Sequence, residues 1–429
     1  MKNIFFVFVL IALQTNAQKL TLPDAINLAL KNSFDIQIAK NVVEVNKLNN
    51  NIGIAGGLPT VTATATNQES IVNINQKLNT GTEITRDGAA SNSMNANITG
   101  TMLLYNGYRV VTTKKRLDLL QQQSQQNLNA QIQNTIASVM INYCTVVKQQ
   151  WYIRTLKQSI ELSKQQLSLI KNKQGVGLAN NAQIFQAEID VNTRTQELLS
   201  QELLLSQYTT DLLNTIQIKP DSVVLIEDTI LVDNKLNLSD VLQGVEKNPQ
   251  ITSLNSQIKI NEFLEKEINA QKYPSLRANT GINYGRNQSN GGQLLLNQSY
   301  GPFVGVTISV PLFSWGIINR LQQIAKINTN NAKLQKESVT SNIHATIVKM
   351  YQAYLNSLQQ LLSQQKNYNL AKQLVDISLQ RFQLSSATII EVREAQKSFE
   401  EASYRLTNLC YIAKLAEIEL KRISNALTN

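Results

Sequence analysis

The chain of 429 residues has little of what most enzymes and metal sites are built from. It has one histidine, His344, and two cysteines, Cys144 and Cys410, far apart. That excludes a Cys/His zinc site, a disulfide framework and catalysis on paired histidines. No nucleophile–base constellation, phosphate loop or metal spacing occurs, so neither an enzyme nor a cofactor is implied. His344, two positions from Thr346 and without an acidic neighbour, reads as structural; the cysteines read as helix-packing thiols. Aromatics make up 6% and charged residues 16%, and only 17 glycines and 7 prolines interrupt the chain. Scarce breakers mean long uninterrupted elements. Scarce charge on a polar chain suggests surfaces that face other chains or a water-filled space. The net charge is +10, but the basic residues are spread out. The densest group, Lys114-Lys115-Arg116, has no interleaved aromatics. This speaks for solvated helix faces and against nucleic acid.

At the start, Lys2 precedes an apolar run from Ile4 to Leu13, followed by Thr15-Asn16-Ala17-Gln18. This predicts a signal peptide over 1–17, cut after Ala17. The run is shorter than the roughly 20 residues a spanning helix needs, and no later stretch qualifies. No cysteine follows the cut, so no lipid-anchored N-terminus is expected. The mature chain is therefore soluble, or sits in a membrane by some route other than helices.

The breakers cluster. Seven glycines lie between Gly53 and Gly107 and seven between Gly281 and Gly316. The stretches Tyr108–Gln174 and Ile317–Asn429, of 67 and 113 residues, contain neither glycine nor proline. A 67-residue helix would be about 100 Å long, which suits a coiled coil. Ile132, Ile136, Val139, Tyr143 and Val146 follow 4-3-4-3 spacing, as do Ile343, Ile347, Met350 and Tyr354. That is the seam of helices packed side by side, and Tyr143, Tyr351 and Tyr354 read as core packing rather than a binding stripe.

The halves match in order. Leu20-Thr-Leu-Pro-Asp-Ala-Ile answers Leu236-Asn-Leu-Ser-Asp-Val-Leu. Leu58-Pro59-Thr60-Val61 answers Tyr273-Pro274-Ser275-Leu276, and Leu103-Leu104-Tyr105-Asn106-Gly107 answers Leu312-Phe313-Ser314-Trp315-Gly316. The expected organisation is one repeat over 18–219, with a hairpin at 58–104 and a helix pair at 108–219. A connector follows over 220–235. The second repeat covers 236–429, with a hairpin at 274–312 and a helix pair at 317–429.

In the glycine-containing regions the period switches to two. Val61, Ala63 and Ala65 alternate with threonines; Ala96, Ile98, Gly100 and Met102 alternate with Asn and Thr. Leu276, Ala278, Ile282 and Tyr284 oppose Arg277, Asn279 and Asn283; Val304, Val306, Ile308 and Val310 oppose Gly305, Thr307 and Ser309. Four strands of about 8–10 residues are expected, joined by polar loops over 67–93 and 285–299. A half-buried sheet of a soluble domain would carry charge on its open face. Here that face carries Asn, Thr and Gly, as a barrel lumen does, and the length suits tilted membrane strands. Four strands cannot close a barrel, and open edges in hydrocarbon leave costly unpaired backbone groups. Several chains must therefore share one barrel. This physics demands at least two and does not choose between two and three.

The ordered set Leu20-x-Leu-x-x-Ala25, Leu58-Pro59, Tyr105-Asn106-Gly107 and Pro311-Leu312-Phe313-Ser314-Trp315-Gly316, with the duplication, resembles the TolC-like outer-membrane efflux proteins. The resemblance implies a homotrimer in the outer membrane, extending into the periplasm. Four strands per protomer would build a twelve-stranded barrel, continued by a helical coiled-coil tunnel. It implies a passive exit duct of a tripartite efflux or type I secretion system. Its partners would be a periplasmic adaptor and an inner-membrane RND, MFS or ABC transporter. Pro59, Gly107, Pro274, Pro311 and Gly316 would occupy the strand–helix joints. The alternative is a trimeric adhesin with a coiled-coil stalk, but its strands would sit together at the C-terminus, whereas this chain has two separated pairs and ends in helix.

The helices turn back over 174–181 and 383–388, where Gly or Ser/Thr supplies a break and a new cap. The resemblance makes these turns the adaptor-contacting tips, here Gly175, Gly177, Leu178, Asn180, Leu384, Ser385, Ser386 and Thr388. Glu391 and Glu394, three apart, share a helix face. In a trimer they would form carboxylate rings that favour cations at the pore constriction; as residues of a helix start they would equally suit its dipole. Three departures from the family pattern stand out: Arg393 in place of an apolar residue, Ala387 in place of a gate arginine, and Gln183 in place of an aspartate. They put the family's gate network of charge pairs in doubt and imply opening that relies more on Asn/Gln hydrogen bonds.

Overall fold

The computed structural model describes residues 18–226 and 229–427. The leader expected over 1–17 lies outside the described residues. In chain order the elements are β1 (Gln18–Lys19), α1 (Leu22–Asn32), α2 (Phe34–Asn49), β2 (Thr60–Lys77), β3 (Glu83–Tyr105), α3 (Arg109–Gly175) and α4 (Asn181–Thr215). Then follow β4 (Val224–Leu225), α5 (Leu238–Val245), α6 (Pro249–Ala270), β5 (Ser275–Ser289), β6 (Leu296–Ser309), α7 (Ile317–Gln383) and α8 (Ile389–Ile423). Helices α3 and α7 are each 67 residues long, and α4 and α8 each 35. No described helix is long and apolar enough to cross a membrane.

The chain forms two compact units, one of residues 1–40, 126–252 and 338–429, the other of 41–125 and 253–337. Each unit draws on both halves of the sequence.

The first unit is helical. Its seam residues Val139, Tyr143 and Val146 on α3 pack with Leu212 and Leu213 of α4, with Ile216 just after it, and with Ala25 and Ala29 of α1. Ile343, Ile347 and Tyr354 of α7 pack with Ala416, Leu420 and Ile423 of α8 and with Val241 and Val245 of α5. The tyrosines Tyr143 and Tyr354 are thus core, while His344 is exposed on α7 rather than part of the packing. Cys144 is buried, and Cys144 and Cys410 are not joined in a disulfide. Part of the 220–235 connector is strand: β4 pairs in parallel with β1. Its end is knotted by a buried carboxylate. Glu417, whose side chain is 2% exposed, accepts from Lys414 and Lys421 Nζ at 2.9 Å each. Glu417 also accepts from the Asp233 backbone N–H at 2.9 Å. Two lysines and a backbone donor compensate a charge that would otherwise be costly to bury.

The second unit holds a four-stranded antiparallel sheet in the order β2-β3-β5-β6. Here the expected strand lengths are corrected. The strands run 18, 23, 15 and 14 residues, and the expected loops over 67–93 and 285–299 are mostly strand. The β2–β3 turn spans only residues 78–82. Beyond Thr66 and Tyr284 the strict alternation that reveals a strand is lost: β2 runs Asn67-Gln68-Glu69-Ser70 and then Ile71-Val72 side by side, and β5 runs Gly285-Arg286-Asn287-Gln288. The backbone ladder nevertheless continues, as in the pairs Gln68↔Ser93 and Asn287↔Asn297.

Candidate functional site

The register separates the sheet into two faces. Val61, Ala63 and Ala65 lie level with Gly100, Ile98 and Ala96. These continue through Thr280, Ile282 and Tyr284 to Val304, Pro302 and Tyr300. Ala278 with Val306 and Leu276 with Ile308 complete the face. Its large side chains, among them Val61, Ile98, Ile282, Val304, Val306 and Ile308, are exposed in the protomer. From Leu276 to Tyr284 the band runs about 26 Å along the strand, or roughly 20 Å in height at a ~40° tilt. The Tyr284–Tyr300 pair edges it on one side. Near the strand–helix joints stand the exposed Tyr105, Tyr108, Phe313 and Trp315, paired at ring separations of 5.7 and 5.2 Å. An apolar band between two aromatic girdles is the pattern of an outer-membrane strand face. The opposite face carries Thr60, Thr62, Thr64, Thr99, Thr101, Asn97, Asn279, Asn283 and Thr307.

The joints lie where the breakers suggested. Pro59 precedes β2 and Pro274 precedes β5, while Pro311 follows β6 by two residues. Gly107 (φ +67°) and Tyr108 (φ +63°) are both left-handed before α3. A Cβ on Gly107 would lie 2.8 Å from that of Tyr273, so no larger residue fits. Before α7 the left-handed pair is Trp315 (φ +49°) and Gly316 (φ +71°). Gly107 therefore corresponds to Trp315, not to Gly316. The sequence match was one residue out because the glycine occupies a different member of each pair.

The two turn-backs share one geometry. After α3, which ends at Gly175, the Gly177 N–H donates to Gln174 O (2.9 Å) and the Leu178 N–H to Lys173 O (2.8 Å). After α7, the Ser385 N–H donates to Phe382 O (3.1 Å) and the Ser386 N–H to Arg381 O (2.8 Å). Both are left-handed helix stops, with Gly177 at φ +78° and Ser385 at φ +59°. Each following helix opens with a capping box, Asn180 with Gln183 and Thr388 with Glu391. Leu178 and Leu384 project into solvent. Beneath the turns Ile170, Ile184, Ala187, Phe382 and Val392 form one apolar cluster.

Glu391 is thus a cap. Its Oε1 accepts from the Thr388 N–H and hydroxyl, at 3.1 Å each, and its other oxygen lies 3.6 Å from Arg381. The backbone bond first, then the hydroxyl, hold its carboxyl below the ordinary carboxylate range, and Arg381 adds to this. Glu394 is exposed one turn on. Charge pairs of this chain's own stand beside the turns. Arg393 Nε lies 2.9 Å from Asp190 on α4, whose side chain is 12% exposed. Lys173 donates to the Phe382 carbonyl and lies 4.1 Å over its ring. Sequence reading missed Asp190 and Lys173, which lie on different helices from their partners and follow no local spacing.

Further along the helices, Arg194 Nε of α4 donates to Glu400 Oε1 of α8 at 2.9 Å, with both side chains 18% exposed. Ser159 of α3 donates to the same oxygen. Gln396 Nε2, fully buried, donates to Ser159 O (2.7 Å) and Ser163 Oγ (2.9 Å). This layer ties α8 to both α3 and α4. No group of three or more potential metal ligands occurs among the described residues.

Comparison with known proteins gives these features a family. The family model "Outer membrane efflux protein" matches residues 25–215 and 265–426. The chain is 25% identical over 160 residues to outer membrane protein TolC of Vibrio cholerae serotype O1, a match that spans 36% of each protein. It is 21% identical over 372 residues to toxin and drug export protein A of Aggregatibacter actinomycetemcomitans, covering 85% of this chain and 77% of that protein. Among solved structures, the outer membrane protein VceC of Vibrio cholerae superposes with a TM-score of 0.78 at 16% identity, over 94% of this chain and 95% of that one. The Campylobacter jejuni CmeC outer membrane channel gives 0.76 at 18% identity, over 94% and 85%. These likenesses show the fold, and the CmeC structure is that of an outer membrane channel. With most of its length matched by the family model, the chain belongs to the outer membrane efflux protein family and is an outer-membrane protein.

Proposed function

We propose that the chain is one third of a trimeric exit duct, twelve-stranded in the outer membrane and extended into the periplasm by its helices. It would serve a tripartite efflux or type I secretion system. The observation that carries the proposal is the sheet itself, with one face apolar and both outer edges, on β2 and β6, unpaired in the protomer. Across the apolar band each edge would leave roughly five backbone groups unpaired in hydrocarbon, at several kcal/mol each. Pairing β6 with β2 of the next copy removes that cost. The helices support the same reading. On α7 the exposed Val348, Leu355 and Leu362 recur every seventh residue, as do Leu370 and Ile377. On α4, Phe185, Ile189, Leu199 and Leu203 are exposed as well. Such seams call for neighbouring helices from other chains.

Transport is passive in this reading. An adaptor bound at the turns draws the hairpins apart, and an RND, MFS or ABC transporter of the inner membrane supplies the energy. The relative named for toxin and drug export makes both cargo classes reasonable targets. Glu391 and Glu394 would ring the constriction, with Glu391 also capping its helix. The protein purified from outer membranes should run as a trimer by native mass and conduct in planar bilayers; a monomer recovered from the aqueous fraction refutes the proposal. Glu391→Gln with Glu394→Gln should weaken cation preference and block by multivalent cations, and unchanged values would reject the carboxylate rings.

A further inference from the structure

Within the apolar-banded span, residues 60–66, 95–105, 275–285 and 299–309 include one formally charged side chain, Arg277. The register sets Arg277 opposite Leu103 on β3 and Thr307 on β6. It therefore belongs to the face of Thr101, Asn279 and Thr307, where Asn279 Nδ2 donates to Thr307 Oγ1 at 2.9 Å. Arg277 is exposed, and among the described residues no side chain of the protomer pairs with it. Apart from Leu103 its neighbours on that face offer hydroxyls and amides, with no carboxylate on that face of the span. An ionisable side chain at membrane depth marks a function more often than a packing need, and it lines water rather than lipid. A packing arginine would have a carboxylate partner.

We infer that Arg277 attracts anions into the barrel, where three copies place a cationic ring in an otherwise neutral lumen. This rests on the trimeric duct proposed above. Rings of arginine or lysine favour anions in pores as carboxylate rings favour cations. The solutes favoured are those with carboxylate, sulfonate or phosphate groups. The attraction is local, since exposed charges are screened within about 8 Å at physiological salt.

The test is the reversal potential of the purified trimer in a planar bilayer under a KCl gradient. Arg277→Gln should lower the chloride-to-potassium permeability ratio by about two- to threefold, and Arg277→Glu further. Arg277→Lys should preserve the ratio, because charge rather than fork geometry acts here. The differences should shrink at 1 M salt. They should persist in a Glu391→Gln, Glu394→Gln background; loss of the effect there would place its origin at the helix turns and overturn the inference. An unchanged ratio in conducting Arg277→Gln and Arg277→Glu trimers overturns it too, and leaves the duct standing. A wild-type protein that neither trimerises nor conducts overturns the duct and this inference together.

Discussion

The Arg194–Glu400 pair offers a direct way to loosen the helix ends. The two side chains join α4 to α8 at 2.9 Å, and Ser159 of α3 shares the same carboxylate oxygen. Glu400→Gln removes the charge and keeps the volume. Removing one partner of a fully buried pair costs about 3–5 kcal/mol because the other charge is left uncompensated. At 18% exposure some water reaches both groups, so about 2 kcal/mol is the fitting figure. If opening separates α8 from α4, the closed state alone loses that contribution. The open-to-closed ratio then rises by about 30-fold, since each 1.4 kcal/mol is a factor of ten. Single-channel recording without partner proteins should show this as a higher open probability. Uptake of a large antibiotic by cells carrying the variant should rise in parallel. The charge-swapped double variant Arg194→Glu, Glu400→Arg should recover part of the closure. Wild-type open probability in Glu400→Gln, with a reduced melting temperature confirming that the pair was lost, would refute the idea that opening breaks this layer.

Four other outcomes follow from the same geometry. Glu417→Ala strands Lys414, leaves Lys421 with only the Asp233 carboxylate at 3.1 Å, and leaves the Asp233 N–H without its acceptor; unfolding in denaturant should register a loss of about 3 kcal/mol. Ser385→Gly relieves a left-handed serine and should stabilise the turn by about 0.5–1 kcal/mol, while Gly177→Ala should cost about 1 kcal/mol, both read by amide exchange at the turns. The lowered pKa of Glu391 means that its capping contribution is present above the ordinary carboxylate range and lost as pH falls below it. Protection factors at the α8 start, which normalise for the acid-slowed intrinsic exchange, should therefore fall with acid in the wild type and be flat in Glu391→Gln. Val304→Lys on the apolar face should destabilise the membrane-inserted protein by about 2–4 kcal/mol, whereas Asn283→Lys on the other face should be near neutral in bilayer unfolding.

The fold was legible where chemistry repeats at a fixed period. The breaker-free stretch Tyr108–Gln174 marked α3 almost to the residue, and the one from Ile317 marked the start of α7, whose end was marked by the turn-back over 383–388. The strands were legible only inside the apolar band. There, alternation is enforced by lipid on one side and water on the other. Past Tyr284 both faces meet water, so Asn287 and Gln288 carry no periodic signal while their backbones still pair with β3 and β6. Strand length beyond a membrane is set by hydrogen bonding, which composition does not record.

The turn-backs show a different limit. Their left-handed stops and capping boxes match, yet one uses Gly177 with Asn180 and Gln183, the other Ser385 with Thr388 and Glu391. A left-handed stop and a capping box each accept several residue types. The backbone solution is therefore kept while charge is free to differ. That freedom places a carboxylate at position 391 and an amide at position 183, so the two turns bring unequal charge to the same end of the helices. Distant pairs such as Arg393 with Asp190 leave no trace in local spacing, because only the packing of α4 beside α8 brings them within 2.9 Å. Arg277 is the converse case. Its isolation among Thr, Asn and Gly was visible in the sequence, but it gains meaning only when the register assigns it to the polar face. Exchanging Arg277 with its outward neighbour Ala278 would leave composition unchanged and move the charge into lipid. The physical cost of that one-residue shift is what makes the assignment of faces a testable statement about this barrel.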